Sequence, residues 1–180
     1  MKLKDLYKKE IVSKMVNKFS YPNFLQVPKL EKVVVNVGFG RYSKDKNYIN
    51  NIKSNLEIIT GQKSILNKAK KSISAFKIRD GMIIGAKVTL RGSRAYNFTD
   101  KVVNIVFPRV RDFRGINVKS VDRVGNLTIG FKEHVAFPEI KAEMTDVSHG
   151  LEVSFHSTSK TNEEGLEFFT LLGFPFKKNN

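Results

Sequence analysis

Residues 84–90 alternate: Ile84, Ala86, Val88 and Leu90 are apolar, while Lys87 and Thr89 between them are polar. That period of two belongs to a strand with one buried face and one face open to solvent. A sheet built from such strands is covered on one side only, unlike a parallel sheet whose strands are apolar throughout. Leu151, Glu152, Val153, Ser154 and Phe155 repeat the alternation and should turn Val153 and Phe155 toward the core. Residues 29–37, introduced by Pro28 and closed by Gly38 and Gly40, carry the β-branched run Val33-Val34-Val35 and then Val37, which suits a strand. Leu127–Phe131 and Val135–Phe137 read as two short strands.

Helical spacing fills the intervals. Leu3, Leu6, Tyr7, Val12, Met15, Val16 and Phe19 define a basic amphipathic helix that ends at Tyr21-Pro22. Tyr48, Ile52, Leu56 and Ile59 define a second that stops at Gly61. Ser93 is placed to cap a third, with Phe98, Val102, Ile105 and Val106 on its apolar face and Pro108 at its end. Thr161 followed by Glu164 forms a capping-box pattern for a fourth, which continues through Leu166, Phe169 and Leu172 to Gly173. The closing Phe174-Pro175-Phe176 should tuck against the body. These elements predict an α+β fold, an antiparallel sheet with helices packed on one face and the other face and loops available to a ligand. A chain of 180 residues suits a single domain, 1–180.

The charge identifies the class of ligand. A net charge of +15 exceeds what solubility requires and calls for an anionic partner. Residues 1–90 hold 19 Lys and Arg against 6 Asp and Glu, whereas residues 91–180 hold 13 against 11. A basic half of this kind is the footprint of a nucleic-acid binder with a dedicated face, or of a solvated basic surface. The chain has no cysteine, which removes disulfides, thiolate metal sites and thiol nucleophiles together. No apolar run approaches a membrane span and the first residues lack a signal peptide's apolar stretch, so a cytoplasmic protein without membrane contact is expected.

The densest cluster, Asn67 to Gly81, mixes Lys68, Lys70, Lys71, Lys77 and Arg79 with Ser72, Ser74 and Phe76. Cations neutralise phosphates, hydroxyls donate to phosphate or 2′-OH oxygens, and an aromatic ring can stack on an unpaired base. The alternative is a solvated loop that Phe76 and Ile78 pin to the core. Arg109, Arg111 and Arg114 around Phe113 form a second cluster suited to bidentate phosphate or carboxylate contact, unless Asp112 only neutralises a neighbour. Lys87, Thr89 and Arg91 share one strand face, and Asn36 sits opposite Val35 and Val37 with an amide able to donate and accept.

Enzyme signatures are missing. Gly61-Gln62-Lys63 lacks the spaced glycine of a phosphate-binding loop, and Gly38-Phe39-Gly40 lacks the third glycine of a dinucleotide fingerprint. His134, His149 and His156 have no ligand spacing, so no metal and no cofactor is expected. The basic-Gly-aromatic string of an RNA-recognition motif is absent too. The leading expectation is a structural RNA-binding protein without catalytic residues. An RNA-acting enzyme and a DNA-packaging protein are the alternatives.

Gln26-Val27-Pro28-Lys29-Leu30-Glu31-Lys32, Thr60-Gly61-Gln62-Lys63, Lys77-Ile78-Arg79-Asp80-Gly81, Val88-Thr89-Leu90-Arg91-Gly92, Phe107-Pro108-Arg109-Val110-Arg111-Asp112-Phe113-Arg114-Gly115 and Phe174-Pro175-Phe176 occur in that order. Together they resemble the family of ribosomal protein five of the large subunit, in its bacterial form, over the whole chain. The resemblance implies a protein of the central protuberance in the cytoplasmic ribosome. Such a protein attaches 5S rRNA, contacts 23S rRNA, neighbouring large-subunit proteins and P-site tRNA, and bridges to a small-subunit ribosomal protein. Carried onto matching positions, it implies rRNA binding by Asn36, Gln62, Lys63, Thr89 and Arg91. It implies a tRNA-contacting loop with Lys70, Lys71, Ser72, Ser74, Lys77 and Arg79, and a subunit bridge at Arg109, Arg111, Arg114 and Asp146. The chain departs from the family in the apolar Met82-Ile83-Ile84 after the basic loop and in its use of 24 Lys to 8 Arg. Neither departure touches the candidate RNA face.

Overall fold

The N-terminal apolar spacing produces one continuous helix in the computed structural model, which describes residues 3–43, 45–140 and 148–177. Leu3–Leu6, a π-helical turn Tyr7–Ile11 and Val12–Phe19 together form α1, which ends where Ser20 turns left-handed at φ 53°. Leu30–Gly38 is β1. Lys46–Thr60 is α2, capped by Asp45, whose carboxylate accepts the N–H of Asn47 at 2.9 Å and of Tyr48 at 3.1 Å. Gly61 closes it at φ +66°, a left-handed position that glycine adopts without steric cost. Ile65–Lys68 is β2 and Ile83–Arg91 is β3. Gly92–Lys101, a second π-helical turn Val102–Val106 and Phe107–Arg109 form α3. Leu127–Phe131 is β4, Leu151–Ser157 is β5 and Asn162–Leu171 is α4.

The strands pair in the order β2-β3-β1-β5-β4. Their directions follow from the cross-links. Ile65 faces Lys87 across β2 and β3, Phe39 N–H donates to Ile84 O after the end of β1, and Thr158 N–H donates to Lys29 O before its start. The result is the expected α+β class with an antiparallel sheet.

Two compact units share these strands. One holds residues 1–33, 90–129 and 154–180. Its core contains Ile11, Met15, Val33, Phe98, Val102, Val106, Phe155 and Phe168, and burial of each such side chain stabilises by about 1.5–3 kcal/mol. Phe174 packs edge-on to Phe155 and Phe169, and Ile116 bridges the backbone on either side of Phe176, so the C-terminal segment is tucked in as expected. The other unit holds residues 34–89 and 130–153, with Val35, Val37, Ile52, Leu56, Ile59, Ala86, Val88, Phe137 and Val153 buried.

Four details differ from the expectation. Residues 134–136 form a 3-10 turn instead of a strand: His134, Phe137 and Ile140 are all buried, and N–H groups of Phe137 and Ile140 bond three residues back. Ser93 lies inside α3 while Arg91 takes the cap position, so its hydroxyl accepts Lys4 Nζ at 3.1 Å. Pro108 falls within the last turn of α3, which runs one residue past it, and Ile105 is exposed because Phe98, Val102 and Val106 align at intervals of four. β2 has no counterpart among the expected strands.

Candidate nucleic-acid interface

Strand alternation divides β1 and β3 into a buried and an open side. On β1, Val33, Val35 and Val37 are buried and Asn36 is only half-buried; on β3, Ala86, Val88 and Leu90 are buried while Lys87 and Arg91 are exposed and Thr89 half-buried. The polar side therefore follows from the period that buried the apolar one.

In the unit of residues 34–89 and 130–153, four of the rRNA candidates meet around neighbouring strands. Gln62 follows the glycine that ends α2, and its Nε2 donates to Thr89 O at 3.0 Å, which ties the turn to β3. Thr60 Oγ1 caps the same turn by donating to Leu56 O at 2.6 Å. Lys63, next in sequence, is exposed. Asn36 lies on β1, adjacent to β3. Lys87 stands opposite exposed Ile65 on the edge strand β2.

Arg91 belongs to the other unit, where its guanidinium lies 3.4 Å from Glu31 Oε1 with both side chains largely in solvent. His156 of β5 lies within the field of the same charges. Burial pushes its pKa below 6.5; Lys32 and Arg91 lower it further, while Glu31 and Asp122 oppose them. This face is mixed in charge.

The basic loop forms a hairpin. Ala69 N–H donates to Met82 O at 2.8 Å, and Ile73 and Ile78 exchange backbone bonds of 2.9 and 3.1 Å. A 3-10 turn at Ser74–Phe76 forms the tip and Lys77 closes it in the left-handed region at φ 54°. Ser72 Oγ accepts Asp80 N–H at 2.9 Å, so this hydroxyl shapes the loop. Lys70, Lys71, Ser74, Lys77 and Arg79 are exposed, and Phe76 is 71% exposed, which rules out a pin to the core; Ile78 is half-buried and fills that role.

Arg109, Arg111 and Arg114 are all exposed on the segment that leaves α3. Phe113 stacks on buried Phe107 with centroids 4.9 Å apart, and Asp112 takes φ 53° to make the turn. Gly115 sits at φ +90°, within 3.2 Å of Pro175 O and Lys177 N measured from where a Cβ would stand, so the arginines project from a backbone that is fixed at both ends. Asp146, the fourth bridge candidate, and Glu143 lie outside the described residues.

A feature the sequence did not announce is the stacked pair His134 and His149, both buried, with ring centroids 4.0 Å apart and planes 11° from parallel. Their spacing of fifteen residues carries no pattern; only the fold joins them. Burial holds His134 below its ordinary pKa, partly offset by its bond to the His149 backbone and by Glu133. Among the described residues no group of three or more His, Cys, Asp or Glu could hold a metal ion.

Comparison with known proteins decides the family. Residues 23–79 match the family described as Ribosomal protein L5, and residues 83–176 match the model of the C-terminus of that same ribosomal family. The chain belongs to the uL5 family of large ribosomal subunit proteins. It is 48% identical to "Large ribosomal subunit protein uL5" of Halothermothrix orenii over 98% of both chains. It is 49% identical to the uL5 of Desulforamulus reducens, again over 98% of each, and 48% identical to that of Carboxydothermus hydrogenoformans over 98% of this chain and 99% of the relative. As a uL5-family member it is a structural constituent of the large subunit and not an enzyme, and its place in bacteria is the cytoplasmic ribosome.

Proposed function

We propose that this uL5-family protein binds 5S rRNA and attaches it to the central protuberance of the large subunit. The observation that supports this reading is the division of the strands: a buried apolar side and, on the open side, Asn36, Thr89 and Lys87 beside Gln62 and Lys63. Groups of this kind read folded RNA by shape, phosphate and 2′-OH contacts, and strands hold them at fixed spacing. Arg91 adds a guanidinium that can leave Glu31 for a phosphate, since an exposed pair is worth only about 0.2–1 kcal/mol. In the same reading the chain also contacts 23S rRNA and neighbouring large-subunit proteins, the hairpin about residues 70–79 meets P-site tRNA, and Arg109, Arg111, Arg114 and Asp146 serve the bridge to a small-subunit protein.

The test is a salt-titrated binding assay of the purified chain with 5S rRNA, a structured RNA of equal length and scrambled sequence, and duplex DNA. Selective binding of 5S rRNA is expected. Equal affinity for all three would reduce the protein to a general polyanion binder and remove the 5S assignment.

A further inference from the structure

We infer that Phe76 is a stacking platform for an unpaired nucleobase of a folded RNA, presented on a hairpin that has its binding shape before the RNA arrives; this rests on the reading of residues 70–79 as an RNA-contacting loop. Several residues of the hairpin have a part in shaping it. Ile73 and Ile78 supply the bridge, Ser72 Oγ ties down Asp80 N–H, Lys77 N–H bonds to Ser74 O at 2.9 Å, and Ile78 supplies the half-buried apolar contact. Phe76 enters none of these through its side chain, yet places an aromatic ring at the tip with 71% of its surface in solvent. A single exposed apolar ring is common on a protein surface, and what marks this one is that it shares its hairpin with a cluster of exposed cations.

The surroundings select that ligand. Lys70, Lys71, Lys77 and Arg79 are exposed on the same hairpin, and Asp80 is the one carboxylate from 70 to 80. A protein pocket for Phe76 would have to answer four cations with its own acids. RNA offers a polyanionic backbone and a base π-face in one molecule. Phenylalanine has no hydrogen-bonding group, so contact depends on the base being unpaired and accessible, and little on which base it is. Because the turn is already closed by backbone and Ser72 bonds, little ordering entropy remains to oppose the contact.

The chain contains no tryptophan, which makes Phe76→Trp a reporter with a single emitting indole. The full-length variant is titrated with folded tRNA and, at the same salt, with a blunt fully paired RNA of similar charge. Quenching by tRNA alone is expected, with Phe76→Leu, which keeps apolar bulk but cannot stack, weakening tRNA binding roughly tenfold. Unchanged emission on binding, equal quenching by the paired RNA, or wild-type affinity of Phe76→Leu overturns the inference. A variant with Lys70, Lys71 and Lys77 changed to Gln separates the levels. If it loses tRNA affinity while Phe76→Leu does not, stacking alone is wrong; if neither loses it, the loop reading is wrong as well.

Discussion

Arg91 and Glu31 hold each other at 3.4 Å with 61% and 46% of their side chains in solvent, a geometry that contributes little to folding. Arg91→Ala should therefore leave the urea midpoint unchanged and weaken 5S rRNA binding by about 1–3 kcal/mol, the worth of a charge-assisted bond left unmade. Wild-type affinity in the folded variant would take Arg91 out of the interface. Gly165 illustrates the opposite case, a residue silent in binding and strict in packing. A Cβ there would meet Gly125 O at 2.6 Å and its carbonyl carbon at 2.8 Å, and these are backbone atoms that cannot swing aside. Gly125 itself is held at φ +83° among Ser157, Ser159 and Thr161, with Ser157 Oγ donating to its carbonyl at 2.7 Å. Gly165→Ala should cost roughly 1–3 kcal/mol by overpacking, read as a lower urea midpoint with unchanged slope. A midpoint equal to wild type would show that α4 can shift to admit the methyl.

At the scale of elements, what the sequence revealed was what its periods encode. β3 and β5 were legible because alternation survives only where one face is buried, and α2 because Ile52, Leu56 and Ile59 keep one stripe up to Gly61. β2 was illegible: Ile65-Leu66-Asn67-Lys68 is short, sits inside a basic stretch, and owes its conformation to pairing with β3 across a register shift. Val135–Phe137 misled because three apolar residues fit a strand, whereas the burial that counts repeats every third residue at His134, Phe137 and Ile140. The candidate site followed the same rule. Asn36, Thr89 and Arg91 could be placed on a face from period alone, while the role of Ser72 as a clamp and the meeting of His134 with His149 depend on chain reversals that no local pattern records. That histidine turn makes its own prediction. Burial holds the folded pKa of His134 below its unfolded value near 6.5, so its contribution to stability is complete above that pH and is lost as pH falls from there through the folded pKa. Unfolding free energy should decline as pH falls below about 6.5, and His134→Asn should flatten the decline even though the variant is less stable throughout. An identical pH profile for both proteins would assign the titration to other groups.

For the whole molecule, the distribution of charge states what binding should look like. Residues 1–90 hold 19 basic against 6 acidic side chains, and a chain that neutralises phosphates releases counterions in proportion. The logarithm of 5S rRNA affinity should therefore fall linearly with the logarithm of salt, and removal of one phosphate contact should flatten that line by about one unit. The proposed division of labour turns this into a discriminating measurement. Arg91→Ala should flatten the 5S rRNA line, because that guanidinium is assigned to the rRNA face. Changing Lys70, Lys71 and Lys77 to Gln removes three charges from an exposed hairpin assigned to another RNA. That variant should leave the 5S rRNA slope as it was and weaken tRNA contact in assembled ribosomes. If the triple variant instead flattens the 5S rRNA line by about three, the hairpin lies on 5S rRNA and the two RNAs are not read by separate parts of the chain.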